Sequence, residues 1–307
     1  MQSAITPATH VIGFVGIGAM GTPMVNHLCA GGYRVVIYDL AASRTAPFSN
    51  NAQVTIAPSL SAAGKLAQVI ITMVPDGHAV RQALCGVNDS YQDCLLEHAA
   101  PQTLVIDMSS SSSVGTRELG ERLAARGHPF IDAPVSGGVK GAVAASLAIM
   151  VGGDPAIYRQ VQGLLSVMGS QLFHVGPLGA GHAMKALNNY VSAAGLVAAC
   201  EALIAAERFG IDPAIATDII NASSGMNNTT KNKVKQQMLN GVFGAGFATS
   251  LMAKDVRTAL EVIETTGTQA DLARHCAAFW NAAEQELPAG TDHTAVYTLV
   301  KAPSTQS

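Results

Sequence analysis

Short apolar runs punctuate the first 175 or so residues of the chain. Val11-Ile12-Gly13-Phe14-Val15, Arg34-Val35-Val36-Ile37-Tyr38, Val69-Ile70-Ile71-Thr72, Leu104-Val105-Ile106, Phe130-Ile131 and Ala148-Ile149-Met150-Val151 are apolar at successive positions rather than at alternate ones. A strand with one wet face alternates; a continuous run suits a strand covered on both faces, as in a parallel sheet. Helix-like stretches between the runs supply the crossovers, so a doubly wound α/β domain is expected.

The texture changes after Gly176-Pro177. Residues 181–209 read as one long Ala-rich helix, and Asp212-Pro213 then resembles an N-cap followed by proline at the first helical position. Further helices are expected over 212–221, 231–239, 251–266 and 269–286, with no strand among them. The expected organisation is therefore a Rossmann-type doubly wound domain over 1–176 and an all-α domain over 177–307. The long helix enters the second domain, and a frayed end is expected over 301–307.

Length supports the division, since 307 residues make two domains at about 150 each. Hydrophobic residues form 49% of the chain and charged ones 13%, which excludes intrinsic disorder. The net charge of −3, from 18 basic and 21 acidic residues, leaves no basic surplus for a nucleic-acid backbone. So apolar a chain, with so few charges, also suggests some surface buried between subunits. Cys29, Cys85, Cys94, Cys200 and Cys276 are odd in number and widely spaced, which fits neither a disulfide framework nor a zinc site. Residues 1–10 lack Lys and Arg, and the apolar stretch over 191–206 is interrupted by Glu201. The expectation is a cytoplasmic protein with no membrane partner.

Gly16-Ile17-Gly18-Ala19-Met20-Gly21 matches GxGxxG between an expected strand and an expected helix. In that context Gly16 permits the tight turn, Gly18 lets a pyrophosphate approach the backbone, and Gly21 lets helix pack on strand. The helix start, with Ala19 and Met20, offers free N–H groups and a partial positive charge to an anion. Asp39 ends the second strand and can accept hydrogen bonds from both ribose hydroxyls of an adenosine while repelling a 2′-phosphate. NAD is therefore expected in preference to NADP, although Arg44 lies close enough along the chain to offset part of that preference.

Two further motifs carry chemistry. Ser136, Gly137 and Gly138, within Asp132-Ala133-Pro134-Val135-Ser136-Gly137-Gly138, offer a hydroxyl and unobstructed backbone N–H groups, a nest suited to a carboxylate or simply a strand-to-helix loop. Lys185 and Asn189 lie four apart on one face of the long helix, while Asn188 points elsewhere. A lysine in an Ala-rich, charge-poor helix can work as a general acid or base, with Asn189 orienting the reacting oxygen. His182, three residues before Lys185, reads as a cap or surface residue.

Together these motifs resemble the β-hydroxyacid dehydrogenase family, which includes 3-hydroxyisobutyrate dehydrogenases, tartronate semialdehyde reductases and, more distantly, 6-phosphogluconate dehydrogenases. The resemblance runs from about Val11 to Val300 and implies a homodimer or homotetramer, since many members are dimers or tetramers. It implies oxidation, with NAD or NADP, of a hydroxyl β to a carboxylate, with Lys185 and Asn189 catalytic and Ser136, Gly137 and Gly138 binding substrate. It further implies cofactor contacts at Val74 and Pro75, at Ser110, and at Lys254 of the pair Lys254-Asp255. The chain departs from the family at Ser111-Ser112-Ser113, where a proline is common. It also departs at Ser192, where 6-phosphogluconate dehydrogenases carry a glutamate that assists decarboxylation. Segment 223–231, where the family varies with substrate, is rich in amides and hydroxyls. Rival readings are a reductase of a larger aldehyde or keto acid, and a non-catalytic nucleotide-binding sensor.

Overall fold

The computed structural model describes residues 4–302, so the end expected to fray lies largely outside the described residues. The chain divides into two compact units, Met1–Lys185 and Ala186–Ser307. The boundary expected after residue 176 falls at the close of a strand, and the observed division lies inside the long helix.

The first unit is built on a mixed sheet of nine strands: β1 (Val11–Val15), β2 (Arg34–Tyr38), β3 (Val54–Ile56), β4 (Val69–Thr72), β5 (Leu104–Asp107), β6 (Phe130–Asp132), β7 (Val135–Ser136), β8 (Ala148–Gly152) and β9 (Gln171–Gly176). The order is β3-β2-β1-β4-β5-β6-β8-β7, with β9 also on β8. The first six strands pair in parallel. The chain then turns back, and β8 runs antiparallel to β6 and β7 and parallel to β9. Helices α1 (Gly21–Ala30), α2 (Ala42–Thr45), α3 (Leu60–Leu66), α4 (Gly77–Cys85), α5 (Ser113–Ala125), α6 (Gly138–Val143) and α7 (Pro155–Ser166) connect the strands.

The continuous apolar runs are explained by a core on each face of the sheet. Ile12, Phe14, Val35, Ile37, Ile71 and Ile106 enter one core, packed under Met24 and Leu28 of α1. Val36, Ile70, Val105 and Phe130, the alternate positions, enter the other with Leu84 of α4 and Leu119 of α5. The nearest turning point of the sheet lies between β1 and β4, where the strand order reverses, so the loops after β1 and β4 open at the switch point that binds ligands in such folds.

The second unit is helical. Its helices are the remainder of α8 (Ala180–Phe209), then α9 (Pro213–Asn221), α10 (Asn228–Asn232), α11 (Thr249–Thr265), α12 (Asp271–Glu286) and α13 (Val296–Lys301). Among the described residues the only pairing of β type here is an isolated bridge, Ala248 to Asp292. Trp280 is fully buried among Leu196, Cys200, Leu203, Met252 and Val256. The helix expected over 231–239 is interrupted: α10 ends at Asn232 with Lys233 as its C-cap, and Val234–Met238 is a π-helical turn. Lys233 Nζ lies 3.0 Å from the buried His293 Nε2.

Helix α8 has 30 residues and is long and apolar enough to cross a membrane by length and composition. Its inner face instead supplies core side chains, namely Ala193, Leu196, Cys200, Leu203 and Ile204. Another face, at Met184, Asn188, Val191, Ala198, Ala202, Ala205 and Phe209, is exposed and largely apolar, with the exposed Glu201 and Arg208 along one margin.

Candidate active site

The glycines of the 16–21 loop are required for different reasons. Gly16 has φ +98°, and a Cβ there would overlap the Met73 carbonyl oxygen. A Cβ on Gly21 would overlap the Gly16 carbonyl oxygen, so both positions are fixed by the fold itself. A Cβ on Gly18 has no heavy atom within 4 Å. The loop therefore leaves open space at the one position where a pyrophosphate would approach. Helix α1 begins without a side-chain cap, which leaves its first N–H groups for an anion. Ala19 is exposed and Met20 half-buried at this start. These features fit a dinucleotide.

Asp39, after β2, is more tightly held than its sequence position alone indicates. Its Oδ2 accepts the Ile17 N–H at 2.8 Å and its Oδ1 accepts the Ala41 N–H at 2.8 Å. The carboxylate thus braces the glycine loop from below while keeping lone pairs for a ribose. Arg44 stands 3.5 Å away with its side chain 57% exposed, so a cationic partner is present beside the acidic one.

After β4, the half-buried Val74 donates its N–H to Ser109 Oγ at 3.0 Å, and Pro75 is exposed. Asp107, at the end of β5, organises the serine run. It accepts the Thr72 hydroxyl (2.9 Å), the Ser109 N–H (2.9 Å) and the Ser111 hydroxyl (2.7 Å). Ser109 and Ser111 are thereby turned inward, and Ser110 between them is only half-buried. Ser136 closes β7, and Gly137 and Gly138 follow with φ of +129° and +60° and exposed backbone. Such a left-handed turn favours glycine and leaves N–H groups accessible.

The start of α8 is capped from a distance. Asp132, fully buried at the end of β6, accepts the N–H groups of Gly179 and His182, each at 2.7 Å. A carboxylate at a helix N-terminus satisfies orphan donors and complements the helix dipole. Burial pushes the Asp132 carboxyl up, against the lowering effect of His182 and of the two N–H groups. His182, expected as a cap or surface residue, has its N–H in this cap but is 1% exposed, with its ring packed between Asp107 and Asp132.

One turn on, Lys185 is half-buried and Asn189 is 8% exposed. Asn189 Nδ2 donates to Asp255 Oδ2 at 2.6 Å, and Asp255 Oδ1 lies 3.6 Å from Lys254 Nζ. Asn188, set aside on spacing, donates to Asn189 Oδ1 at 3.2 Å and so helps fix that amide. Asp255 itself was missed as an orienting residue. Its signal was a carboxylate within the apolar stripe of α11, between Met252 and Val256 and below Ala259. In segment 223–231, Asn227 and Thr230 form a reciprocal capping box at the start of α10, so these two side chains serve the helix start.

Fold and site together define a nucleotide-dependent oxidoreductase, with a glycine-loop sheet domain and a helical domain that shares α8. Comparison with known proteins places it more closely. Residues 11–176 match the family model of the NAD binding domain of 6-phosphogluconate dehydrogenase, and residues 179–300 that described as NAD-binding of NADP-dependent 3-hydroxyisobutyrate dehydrogenase. The chain is 36% identical to 2-(hydroxymethyl)glutarate dehydrogenase of Eubacterium barkeri, over 81% of each protein. It is 37% identical to a probable 3-hydroxyisobutyrate dehydrogenase of Mycobacterium tuberculosis, over 87% of this chain and 90% of that protein. The solved structure of Mycobacterium tuberculosis 3-hydroxyisobutyrate dehydrogenase with L-serine superposes with a TM-score of 0.84 at 35% identity, covering 95% of this chain and 99% of that one. The chain belongs to the β-hydroxyacid dehydrogenase family and is an NAD(P)-dependent oxidoreductase.

Proposed function

We propose that this enzyme moves a hydride between a nicotinamide cofactor and the carbinol carbon of a small 3-hydroxy carboxylate of the 3-hydroxyisobutyrate type, or the matching semialdehyde. The observation that carries the reading is the pair Lys185 and Asn189, one turn apart on α8, with Asn189 anchored on buried Asp255. The names of two relatives support the substrate class, because 3-hydroxyisobutyrate and 2-(hydroxymethyl)glutarate both carry a hydroxymethyl group next to the carboxylated carbon.

Gly16, Gly18, Gly21 and the start of α1 hold the pyrophosphate, and Asp39 holds the adenosine ribose, which favours NAD over NADP. Val74, Pro75, Ser110 and Lys254 complete the cofactor contacts. When bound, the nicotinamide ring supplies the hydride acceptor or donor. Ser136 and the N–H groups of Gly137 and Gly138 hold the substrate carboxylate. Lys185 Nζ takes the hydroxyl proton as the carbonyl forms and returns it in the reductive direction. Asn189 uses one amide N–H on Asp255 and keeps the second for the reacting oxygen.

We also place a second copy of the chain on the largely apolar exposed face of α8, and the enzyme in a reducing compartment such as the cytoplasm. All five cysteines are free and buried, which supports the latter. The test of the chemistry is Lys185→Ala. It should cut kcat by about 10²–10⁴-fold and leave the NAD dissociation constant near normal, and Lys185→Arg should fail as well because its guanidinium stays protonated. A variant retaining more than about a tenth of wild-type kcat on a good hydroxy acid refutes Lys185 as the acid–base group.

A further inference from the structure

His182 is used by nothing in the reaction as described, yet its ring is enclosed by ionisable groups. Its Nε2 lies 3.6 Å from Asp107 Oδ2 and its Nδ1 3.7 Å from Asp132 Oδ2, with all three side chains at most 1% exposed. Thr116 Oγ1 lies 2.8 Å from Nδ1. The Thr116 hydroxyl has a single hydrogen, and it donates to the Ser112 carbonyl at 2.9 Å. Thr116 Oγ1 must then accept, so Nδ1 carries a proton.

The other nitrogen is the informative one. Nε2 is buried and has no hydrogen-bond partner. In a neutral ring it would turn a bare lone pair toward the Asp107 carboxylate, a repulsive contact between buried groups. A second ring proton removes the repulsion and places positive charge between two buried carboxylates. Among the described residues the surrounding elements bring no competing buried cation. Asp107 ends β5, Asp132 ends β6, Arg117 of α5 is held outward on the Leu178 carbonyl, and Lys185 lies one turn further along α8. The packing is close, since a Cβ at Gly152 or Gly181 would collide with the Asp132 carboxylate.

We propose that His182 is a positioning residue: its doubly protonated ring, held between Asp107 and Asp132, pins the 107–111 serine segment, the 132–138 segment and the first turn of α8 into one arrangement. Those three segments carry Ser110, the Ser136–Gly138 nest and Lys185, so the inference rests on the function proposed above. A misplacement of reacting groups by about 1 Å costs on the order of 10²-fold in rate.

Two measurements test it. In full-length protein labelled with ¹⁵N-histidine, one slowly exchanging ring, absent in His182→Gln, should show both nitrogens protonated at neutral pH. A buried ring with one unprotonated nitrogen overturns the proposal. In steady-state kinetics His182→Gln should lose about 10²-fold in kcat with its NAD dissociation constant within about threefold of wild type, because the 16–21 loop lies elsewhere. Unchanged kcat overturns the proposal. If His182→Gln does not fold, Thr116→Val, which removes the Nδ1 acceptor together with the Thr116 bond to the Ser112 carbonyl, should lower kcat about tenfold, and wild-type turnover by Thr116→Val overturns it. A wild-type protein that turns over no hydroxy acid defeats the dehydrogenase reading instead, and the ring-nitrogen signature then decides the present inference alone.

Discussion

Asp255→Ala tests whether the amide of Asn189 is built into the site or merely adjacent to it. The bond it removes is short, 2.6 Å, and both partners are buried, Asn189 at 8% exposure and Asp255 at 2%. A hydrogen bond to a charged group contributes about 1.5–3 kcal/mol, and a buried donor left without a partner costs about 1–3 kcal/mol. These overlap rather than add, and loss of the desolvated carboxylate returns part of the cost. A destabilisation of roughly 2 kcal/mol is therefore expected, read as a lower urea midpoint at constant slope. Kinetics should respond more strongly. An amide free to rotate no longer presents its second N–H to the reacting oxygen, and kcat should fall on the order of 10- to 100-fold. Asp255→Asn separates the causes. Its carbonyl oxygen can still accept from Asn189 Nδ2, so it should keep most of both stability and turnover. Wild-type kcat in Asp255→Ala, measured on protein shown to be folded, refutes the claim that Asp255 orients Asn189.

Asp39→Asn keeps an acceptor for the Ile17 N–H but removes the charge that repels a 2′-phosphate, so the ratio of kcat/KM for NAD over NADP should fall about tenfold or more; an unchanged ratio removes Asp39 from cofactor choice. Val191→Glu puts a charge in the middle of the largely apolar exposed face of α8, where Val191 is 68% exposed, and should shift the mass in light scattering toward monomer; a wild-type that is already monomeric at micromolar concentration refutes the proposed contact. The five thiols are buried, and burial pushes Cys200 up to about 12 and Cys276 up to about 11. Native protein at pH 8 should therefore resist a thiolate-selective disulfide reagent that labels all five in denaturant, and rapid native labelling would contradict the packing.

Much of the first unit was legible because its central strands are buried on both faces and so leave continuous apolar runs. The strands missed were those lacking that cause. β3 has Thr55 and Ile56 exposed at the sheet edge, β9 begins with the exposed Gln171, and β7 is two residues long. Strand direction was equally silent, since the antiparallel pairing of β8 with β6 and β7 changes no side-chain pattern. Helix α8 was plain from its Ala-rich length, but the burial of His182 was not. It depends on Asp107 and Asp132, which lie 75 and 50 residues earlier in the chain (182 − 107 and 182 − 132). The break at Lys233 has a similar origin, because the partner of its ammonium is His293, 60 residues on.

The three loop glycines also differ in what would preserve them through descent. Gly16 and Gly21 answer to the polypeptide, because a methyl group on either meets a backbone carbonyl of the chain itself. Gly18 meets nothing in the folded protein, so only a bound ligand can forbid a side chain there. A descendant that abandoned nucleotide binding would have to keep the first and third glycines and would be free to lose the second. An alanine at that position alone, in an otherwise intact loop, would mark a lineage that kept the scaffold and gave up the cofactor.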